Sequence, residues 1–159
     1  MQQPLIHLSG LGEVAGRYPV IFSDIWGVLH NGEQAFVDSA AALTRARQEG
    51  AAVILITNAP RPKAEIVGQL NALGVPGSSW DRIVTSGDVT RDLIANGPRR
   101  IFHLGPDRDL VLYDGLEVEV VEEPEADAVG WTGFCDDDTE TPEMFGDMLR
   151  RFRSRDLPF

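Results

Sequence analysis

Apolar residues in the first half of the chain follow two alternating patterns. Short, nearly continuous apolar runs predict strands buried on both faces of a parallel sheet. These runs lie at residues 18–23, 51–56 and 82–85. Between them, apolar residues recur at helical spacing over residues 35–49 and 62–73, and Gly50 and Gly74 follow as helix stops. Strands and helices in this order predict right-handed crossovers and an α/β fold with a parallel sheet.

The second half of the chain continues the αβ pattern less regularly. Further strands are predicted at residues 100–104, 116–121 and 127–131. A helix is predicted from about Pro142 to Arg155, with Met144, Met148 and Phe152 on one face. The whole chain is therefore expected to be α/β.

Polar side chains stand where the three predicted strands of the first half end. They are Asp24, Thr57 with Asn58, and Thr85 with Ser86. Sites in open parallel sheets gather at the carboxyl edge, so we expect these residues to converge there. Asp24, followed by a turn at Gly27, is expected to face a crevice and to act as a nucleophile toward phosphorus. Thr57 can donate its hydroxyl to the phosphate, and a hard cation such as Mg²⁺ would offset the negative charges.

Composition and charge indicate which classes of binding partner the protein is not expected to have. The formal net charge of -11 argues against a nucleic acid or an anionic membrane. No apolar run approaches the roughly 20 residues of a membrane span. Residues 114–140 hold eleven acidic side chains and no basic one, which predicts a solvated face, with a cation site at Asp136, Asp137 and Asp138 as the alternative. The single cysteine, Cys135, fits a reducing cytoplasm, where we expect the protein to reside.

Three segments resemble motifs of the haloacid dehalogenase superfamily. Residues 22–32 (FSDIWGVLHNG) are similar to its first motif, an apolar strand leading to an aspartate. Residues 54–62 (ILITNAPRP) resemble the second motif of the class IIA phosphatases, which are related to sugar-phosphate and p-nitrophenyl phosphatases. Residues 83–87 (IVTSG) resemble the passage into an inserted cap. The resemblance implies a Rossmann-like core over residues 1–86 and an α/β cap domain, incomplete here, over residues 87–159.

The resemblance also implies roles for individual residues. Asp24 would be the nucleophile of a Mg²⁺-dependent phosphatase that acts on a small phosphorylated metabolite through an aspartyl-phosphate. Asp24 and the main-chain carbonyl of Trp26 would hold Mg²⁺, and Thr57 would bind the phosphate. The Trp26 side chain is interpreted as a wall of the substrate crevice, with a core aromatic as the alternative. Asn58 and Arg61 would contact the phosphate or the leaving group, with solvent exposure as the alternative for Arg61.

Two departures from the family pattern keep other functions open. Trp26 stands where the family has its general acid. General acid catalysis typically increases the reaction rate by about 10²–10⁴-fold. His30 is a candidate replacement, against a surface or internally satisfied histidine. The alternative functions are a noncatalytic phospholigand-binding or interaction protein and a dehalogenase-like hydrolase of carbon–halogen bonds. The family's later lysine and Gly-Asp metal motif are not found, so we expect the chain to be the front part of a longer protein. Its oligomeric state is left open, a homo-oligomer included.

Overall fold

The computed structural model describes residues 7–159, so the first six residues of the predicted core lie outside the described part. The chain divides into two compact units. The first unit comprises the residues up to Ala59 together with Lys63–Ser86, and the second comprises Pro60–Pro62 together with Gly87–Phe159. The predicted division of the chain falls after Ser86 as well, and the interpretation of the two parts as core and cap stays a prediction.

The first unit contains a three-stranded parallel sheet. Its elements are α1 (Gly12–Ala15), β1 (Val20–Ser23), α2 (Val37–Gln48), β2 (Ala52–Thr57), α3 (Lys63–Ala72), a 3₁₀ turn (Gly77–Ser79) and β3 (Arg82–Thr85). The strand order is β1-β2-β3, with parallel pairing throughout. Gly50 and Gly74 have φ angles of 101° and 80°, which are favourable for glycine and end the helices as predicted. The predicted α/β fold with a parallel sheet is confirmed.

The apolar core of the first unit lies between the sheet and helices α2 and α3. Its buried members are Ile25, Leu29, Ala40, Leu43, Val53, Leu55, Ile66, Leu70, Val75 and Ile83. Successive residues of a strand point to opposite faces of the sheet. Val53 and Leu55 therefore face this core, whereas Ile56 between Leu55 and Thr57 faces away from it and is 43% exposed.

The prediction that these strands are buried on both faces is wrong for the described chain. Phe22 is 66% exposed, and Val20, Ile56 and Val84 are also exposed. We call the surface formed by these four side chains the open face. The apolar runs show that both faces are suited to burial, but the described helices of this unit cover only one of them.

Asp81 links the turn before β3 to β2 and α2. Its carboxylate accepts hydrogen bonds from Arg47 Nη2 at 2.5 Å and from the Val53 amide at 2.7 Å. The bond from Arg47, and then the bond from Val53, hold the pKa of Asp81 below its ordinary value. Arg47 Nη1 also donates to the Ser78 carbonyl, at 2.5 Å. This network fixes the segment that leads into β3.

The second unit contains another three-stranded parallel sheet, with strand order β5-β4-β6. Its elements are α4 (Ser86–Ala95), which begins at the boundary residue, β4 (Arg100–Leu104), β5 (Glu119–Val120), β6 (Ala128–Trp131), α5 (Gly146–Ser154), and 3₁₀ segments at Asp107–Tyr113, Glu123–Glu125 and Pro142–Phe145. The predicted helix from Pro142 thus starts as a 3₁₀ turn. Because that turn has a shorter period than an α-helix, Met144 is exposed instead of sharing one buried face with Phe152.

A buried polar contact accompanies the small core of the second unit. The Tyr113 hydroxyl lies 3.0 Å from His103 Nδ1, and burial raises the pKa of Tyr113 to about 12. Tyr113 therefore stays protonated at neutral pH. The core itself consists of Ile101, Leu112 and Tyr113, with Ile94 packed against it.

The acidic stretch of the second unit is mostly exposed and in part paired. Asp127 accepts from Arg100 Nε at 2.9 Å, and Glu123 accepts from Arg151 Nε at 2.6 Å. Asp136 accepts from the Asp138 amide and the Thr139 hydroxyl. Within residues 7–159 no group of three or more His, Cys, Asp or Glu side chains is arranged to hold a metal ion. The alternative of a cation site at Asp136–Asp138 is therefore wrong.

No helix among the described residues combines the length and apolar character needed to cross a membrane.

Buried and exposed side chains alternate along β2, so substitutions at two neighbouring positions should lower the free energy of unfolding of residues 1–159 by unequal amounts. Leu55→Ala removes a side chain that is 0% exposed, so we expect the free energy of unfolding to fall by about 2–5 kcal/mol. Ile56→Ala removes an exposed side chain and should cost less than about 1 kcal/mol. Urea unfolding followed by circular dichroism measures both. Equal losses in the two variants would contradict the description of one covered and one open face.

Candidate active site

The parallel pairing of the first unit brings the predicted site residues to one edge of the sheet. Ser23, the last residue of β1, is in register with Leu55 of β2. Asp24 follows directly, and Thr57 ends β2 in register with Thr85, the end of β3. Because the strands are parallel, all three carboxyl ends lie at the same edge. The structure thus brings Asp24 and Thr57 to neighbouring strand ends, while their chemical roles stay predictions.

Asp24 is exposed at this edge. The sequence had predicted that it would be enclosed in a crevice. Its Oδ1 accepts a hydrogen bond from the Ile25 amide at 2.6 Å. The Ser23 hydroxyl donates to the Asp24 carbonyl at 2.9 Å, which fixes the backbone at the strand end. Asp24 Oδ2 takes part in no hydrogen bond within residues 7–159. One carboxylate oxygen is therefore held in place and the other is available to attack or to bind a cation.

Thr57 is buried, with 7% of its surface exposed. Its Oγ1 accepts a hydrogen bond from the Ala59 amide at 3.2 Å. A threonine hydroxyl that accepts one bond still has its proton to donate. Thr57 can therefore donate to an anion bound at the edge. The next residue, Asn58, is exposed, as a contact to a ligand requires.

The loop after Asp24 is built around Trp26 and two glycines. Gly27 has a φ of 74°, and its amide donates to the His30 carbonyl at 2.8 Å. Trp26 is 61% exposed, so the alternative of a core aromatic is wrong. Its ring lies so close to Gly32 that an added Cβ there would come within 2.7 Å of a ring carbon, and Gly32 has a φ of 95°. This need for glycine at Gly32 was not predicted, although the Asn-Gly pair is a recognisable turn signal.

His30 is an internally satisfied histidine. It is 2% exposed, and its Nδ1 accepts a hydrogen bond from the Gly32 amide at 2.9 Å. The Trp26 ring meets the His30 ring edge-on, with centroids 5.5 Å apart. Its burial and its bond within the loop favour the alternative of an internally satisfied histidine that supports the loop carrying Trp26, and the role of replacement acid stays a prediction.

The carboxyl edge of the sheet carries two oxygen ligands that suit a hard cation. They are the Asp24 carboxylate and the Trp26 carbonyl, and no hydrogen bond within residues 7–159 uses that carbonyl. Mg²⁺ prefers oxygen ligands and is usually bound by one or two carboxylates together with waters and substrate phosphate. The residues present therefore fit Mg²⁺, with the remaining ligands coming from water, phosphate or further protein groups.

Arg61 belongs to the short segment Pro60–Pro62 of the second unit and is half-buried. Its backbone packs against Gly87 so closely that a Cβ at Gly87 would lie 2.3 Å from the Arg61 carbonyl oxygen. Only glycine fits this approach without a shift of the backbone, and this constraint was not predicted from the sequence. The predicted contact of Arg61 with phosphate stays a prediction.

Comparison with known proteins places this geometry among hydrolases. A family model described as haloacid dehalogenase-like hydrolase matches residues 21–119, which include the ends of β1, β2 and β3. A solved hydrolase of the haloacid dehalogenase-like family from Brucella suis 1330 is 56% identical, with a TM-score of 0.89. The match covers 96% of this chain and 56% of that one, so this chain spans little more than half the length of that relative. No curated protein matches the chain significantly.

Two more distant solved structures share the fold. A 4-nitrophenylphosphatase from Thermotoga maritima is 23% identical with a TM-score of 0.59, over 87% of this chain and 53% of its own. A glycerol phosphate phosphatase from Mycobacterium tuberculosis, in complex with calcium, is 22% identical with a TM-score of 0.56, over 89% of this chain and 42% of its own. At these identities the similarity establishes the fold alone.

Proposed function

The chain belongs to the haloacid dehalogenase-like hydrolases, and from this premise we propose that it supplies the nucleophile of a Mg²⁺-dependent phosphatase acting on a small phosphate monoester. The observation that carries the proposal is the parallel pairing of β1 with β2. As a result of this pairing, Asp24 follows the end of β1 and Thr57 ends β2 at the same edge of the sheet. In the proposed reaction the carboxylate attacks phosphorus and the hydroxyl holds the phosphate in place.

The reaction would proceed in two displacements. A carboxylate oxygen of Asp24 attacks phosphorus, the bond from phosphorus to the ester oxygen breaks, and the alcohol leaves with a proton from solvent. Water then attacks the phosphorus of the aspartyl-phosphate, which releases inorganic phosphate and a proton and restores the carboxylate. Throughout, the Thr57 hydroxyl donates a hydrogen bond to a phosphate oxygen. Mg²⁺, when bound by Asp24 and the Trp26 carbonyl, would neutralise charge on the carboxylate and the phosphate.

Trp26 shapes the expected substrate range. An indole N–H is a hydrogen-bond donor that does not release its proton at neutral pH, so it cannot protonate a departing alkoxide. Esters whose alcohols leave readily as anions need no such proton. We therefore propose aryl phosphates and other esters with good leaving groups as the preferred class, ahead of simple alkyl phosphates.

The same residue favours a second candidate function, noncatalytic binding of a phosphorylated ligand. Trp26 is exposed at the edge that carries Asp24, where an aromatic face can pack against the organic part of a ligand. A protein that retains phosphate binding and lacks the acid would bind such ligands without hydrolysing them. Turnover distinguishes the two functions.

Phosphate release is the direct test of the proposed function. We expect the longest gene product that contains residues 1–159 to release phosphate from p-nitrophenyl phosphate with Mg²⁺ present. Chelation by EDTA should abolish the activity, because the carboxylate and phosphate charges then repel each other, and added Mg²⁺ should restore it. Isothermal titration with phenylphosphonate, which cannot be hydrolysed in this way, measures binding separately. Binding without turnover would reject the phosphatase and support the second function.

A further inference from the structure

We propose that Asn31 is a site of self-catalysed covalent modification, at which the asparagine is converted through a succinimide into aspartate and isoaspartate. The reaction joins the main-chain nitrogen of Gly32 to the side-chain amide of Asn31, and water is the only co-reactant. Glycine favours this attack because it has no side chain to hinder it, and the chain contains two Asn-Gly pairs, at Asn31 and Asn96. The inference is independent of the proposed function, because it concerns a change in the loop itself and not turnover of a substrate.

The attacking nitrogen has a base in contact with its proton. The Gly32 amide donates a hydrogen bond to His30 Nδ1 at 2.9 Å. A general base must lie about 2.6–3.2 Å from the atom whose proton it removes, and histidine is the side chain most often used in this way. His30 is 2% exposed, so the surrounding loop holds its ring in place. An amide nitrogen is a poor nucleophile until it loses its proton, and His30 is placed to accept that proton.

The carbonyl group under attack is held by two hydrogen-bond donors. Asn31 Oδ1 accepts from the Glu33 amide at 3.0 Å and from the Gln34 amide at 2.9 Å. Negative charge develops on this oxygen when a nitrogen adds to Cγ. Two backbone N–H groups directed at such an oxygen are the arrangement that stabilises tetrahedral intermediates of acyl transfer. The loop therefore holds a nucleophile, a base and an oxyanion site around one side chain.

The atoms and protons of the reaction balance without an oxidant or a reductant. The Gly32 nitrogen forms a bond to Asn31 Cγ, and its proton passes to His30 Nδ1. The bond from Cγ to the side-chain nitrogen then breaks, and this nitrogen takes up one proton and leaves as ammonia. His30 returns its proton through water. A water molecule opens the resulting five-membered ring at either carbonyl, which gives aspartate or isoaspartate, and the exposure of Asn31 gives water access.

The isoaspartate product changes the loop more than the aspartate product does. Isoaspartate places an additional carbon in the main chain between residues 31 and 32. Gly32 already lies so close to the Trp26 ring that an added Cβ would come within 2.7 Å of a ring carbon. A longer main chain therefore cannot keep both the ring position and the bond from the Gly32 amide to His30. Aspartate adds only a negative charge at an exposed position.

The second Asn-Gly pair provides a control within the same chain. The Gly97 amide donates to the Ile94 carbonyl at 3.1 Å, and a carbonyl oxygen is a far weaker base than an imidazole nitrogen. The Asn96 side chain donates from Nδ2 to the Asp92 carbonyl at 2.8 Å. No group within residues 7–159 donates a hydrogen bond to Asn96 Oδ1. The two pairs therefore have the same two residues, but only Asn31 has the base and the oxyanion site.

Peptide mass spectrometry of the longest gene product that contains residues 1–159, incubated at neutral pH, follows both sites. We expect Asn31 of the folded protein to be converted at least about tenfold faster than Asn96, which is below the roughly 10²–10⁴-fold that a general base contributes. In urea the two sites should react at similar rates, because unfolding separates the base and the donors from Asn31. Asn31 should also react faster in the folded protein than in urea. An isoaspartyl methyltransferase with a labelled methyl donor identifies the isoaspartate product.

His30→Gln tests the base directly. Glutamine can still accept a hydrogen bond but is not a base at neutral pH, so conversion of Asn31 should slow at least about tenfold while that of Asn96 is unchanged. Circular dichroism verifies that the variant folds. If it does not fold, the comparison of the folded and urea-unfolded wild-type protein decides alone. The proposal would be overturned by a folded-state rate at Asn31 no higher than that at Asn96 or in urea, or by an undiminished rate in folded His30→Gln.

Discussion

Asp24→Asn is expected to lower kcat for phosphate release by roughly 10⁴-fold or more, because loss of a nucleophile removes the covalent route altogether. The substitution keeps the size of the side chain and its acceptor oxygen. The hydrogen bond from the Ile25 amide to Asp24 can therefore persist in the variant. Since Asp24 is exposed, the free energy of unfolding should change little. Steady-state release of phosphate from p-nitrophenyl phosphate, with urea unfolding in parallel, measures both quantities.

Asp38→Asn serves as the control for this experiment. Asp38 is an exposed acidic residue in the first turn of α2 and has none of the roles predicted for the candidate site. Its variant should retain kcat within about twofold, as expected for a surface substitution. If Asp24→Asn retained a comparable rate, Asp24 would not be the nucleophile. A lower rate with an equal loss of stability would point to a folding defect instead.

Trp26→Asp should raise kcat for alkyl phosphates by about 10²-fold, the lower end of what general acid catalysis contributes. The new carboxyl group would stand at the position of the family's acid and protonate the leaving alkoxide. Trp26 is 61% exposed, so the substitution buries no charge. Its edge-on contact with the buried His30 ring and its packing against Gly32 are lost, which should lower the free energy of unfolding. Comparison of an alkyl phosphate with p-nitrophenyl phosphate measures the effect.

The leaving group and the pH profile distinguish acid catalysis from a change of shape. p-Nitrophenyl phosphate has a good leaving group, so its kcat should rise much less than that of the alkyl ester. With the alkyl ester, kcat of Trp26→Asp should fall at high pH, where the new carboxyl group is deprotonated. Asparagine has nearly the size of aspartate but no acidic proton, so Trp26→Asn should show neither change. An equal gain from Trp26→Asn would mean that removal of the indole, not a new acid, raises the rate.

Much of the candidate site could be predicted from short-range patterns. The apolar runs before Asp24 and Thr57 identified two consecutive strands, and helical spacing between them implied a crossover. Parallel strands then have their carboxyl ends at one edge by geometry alone. The sequence could not predict how His30 is used. Its burial depends on the loop closing on itself through the Gly27 amide and the His30 carbonyl, a contact set by tertiary packing.

The residues alone determined the order of strands and helices, their direction and the edge of the sheet at which the strands before Asp24 and Thr57 end, because these follow from local periodicity and from the handedness of crossovers. Only the tertiary structure decided which side of the first sheet is covered, how Trp26 comes to stand in solvent, and why Gly32 and Gly87 must lack a Cβ. An apolar run specifies that a strand can be buried on both faces. Which partner buries it is fixed by residues far away in the chain or outside it.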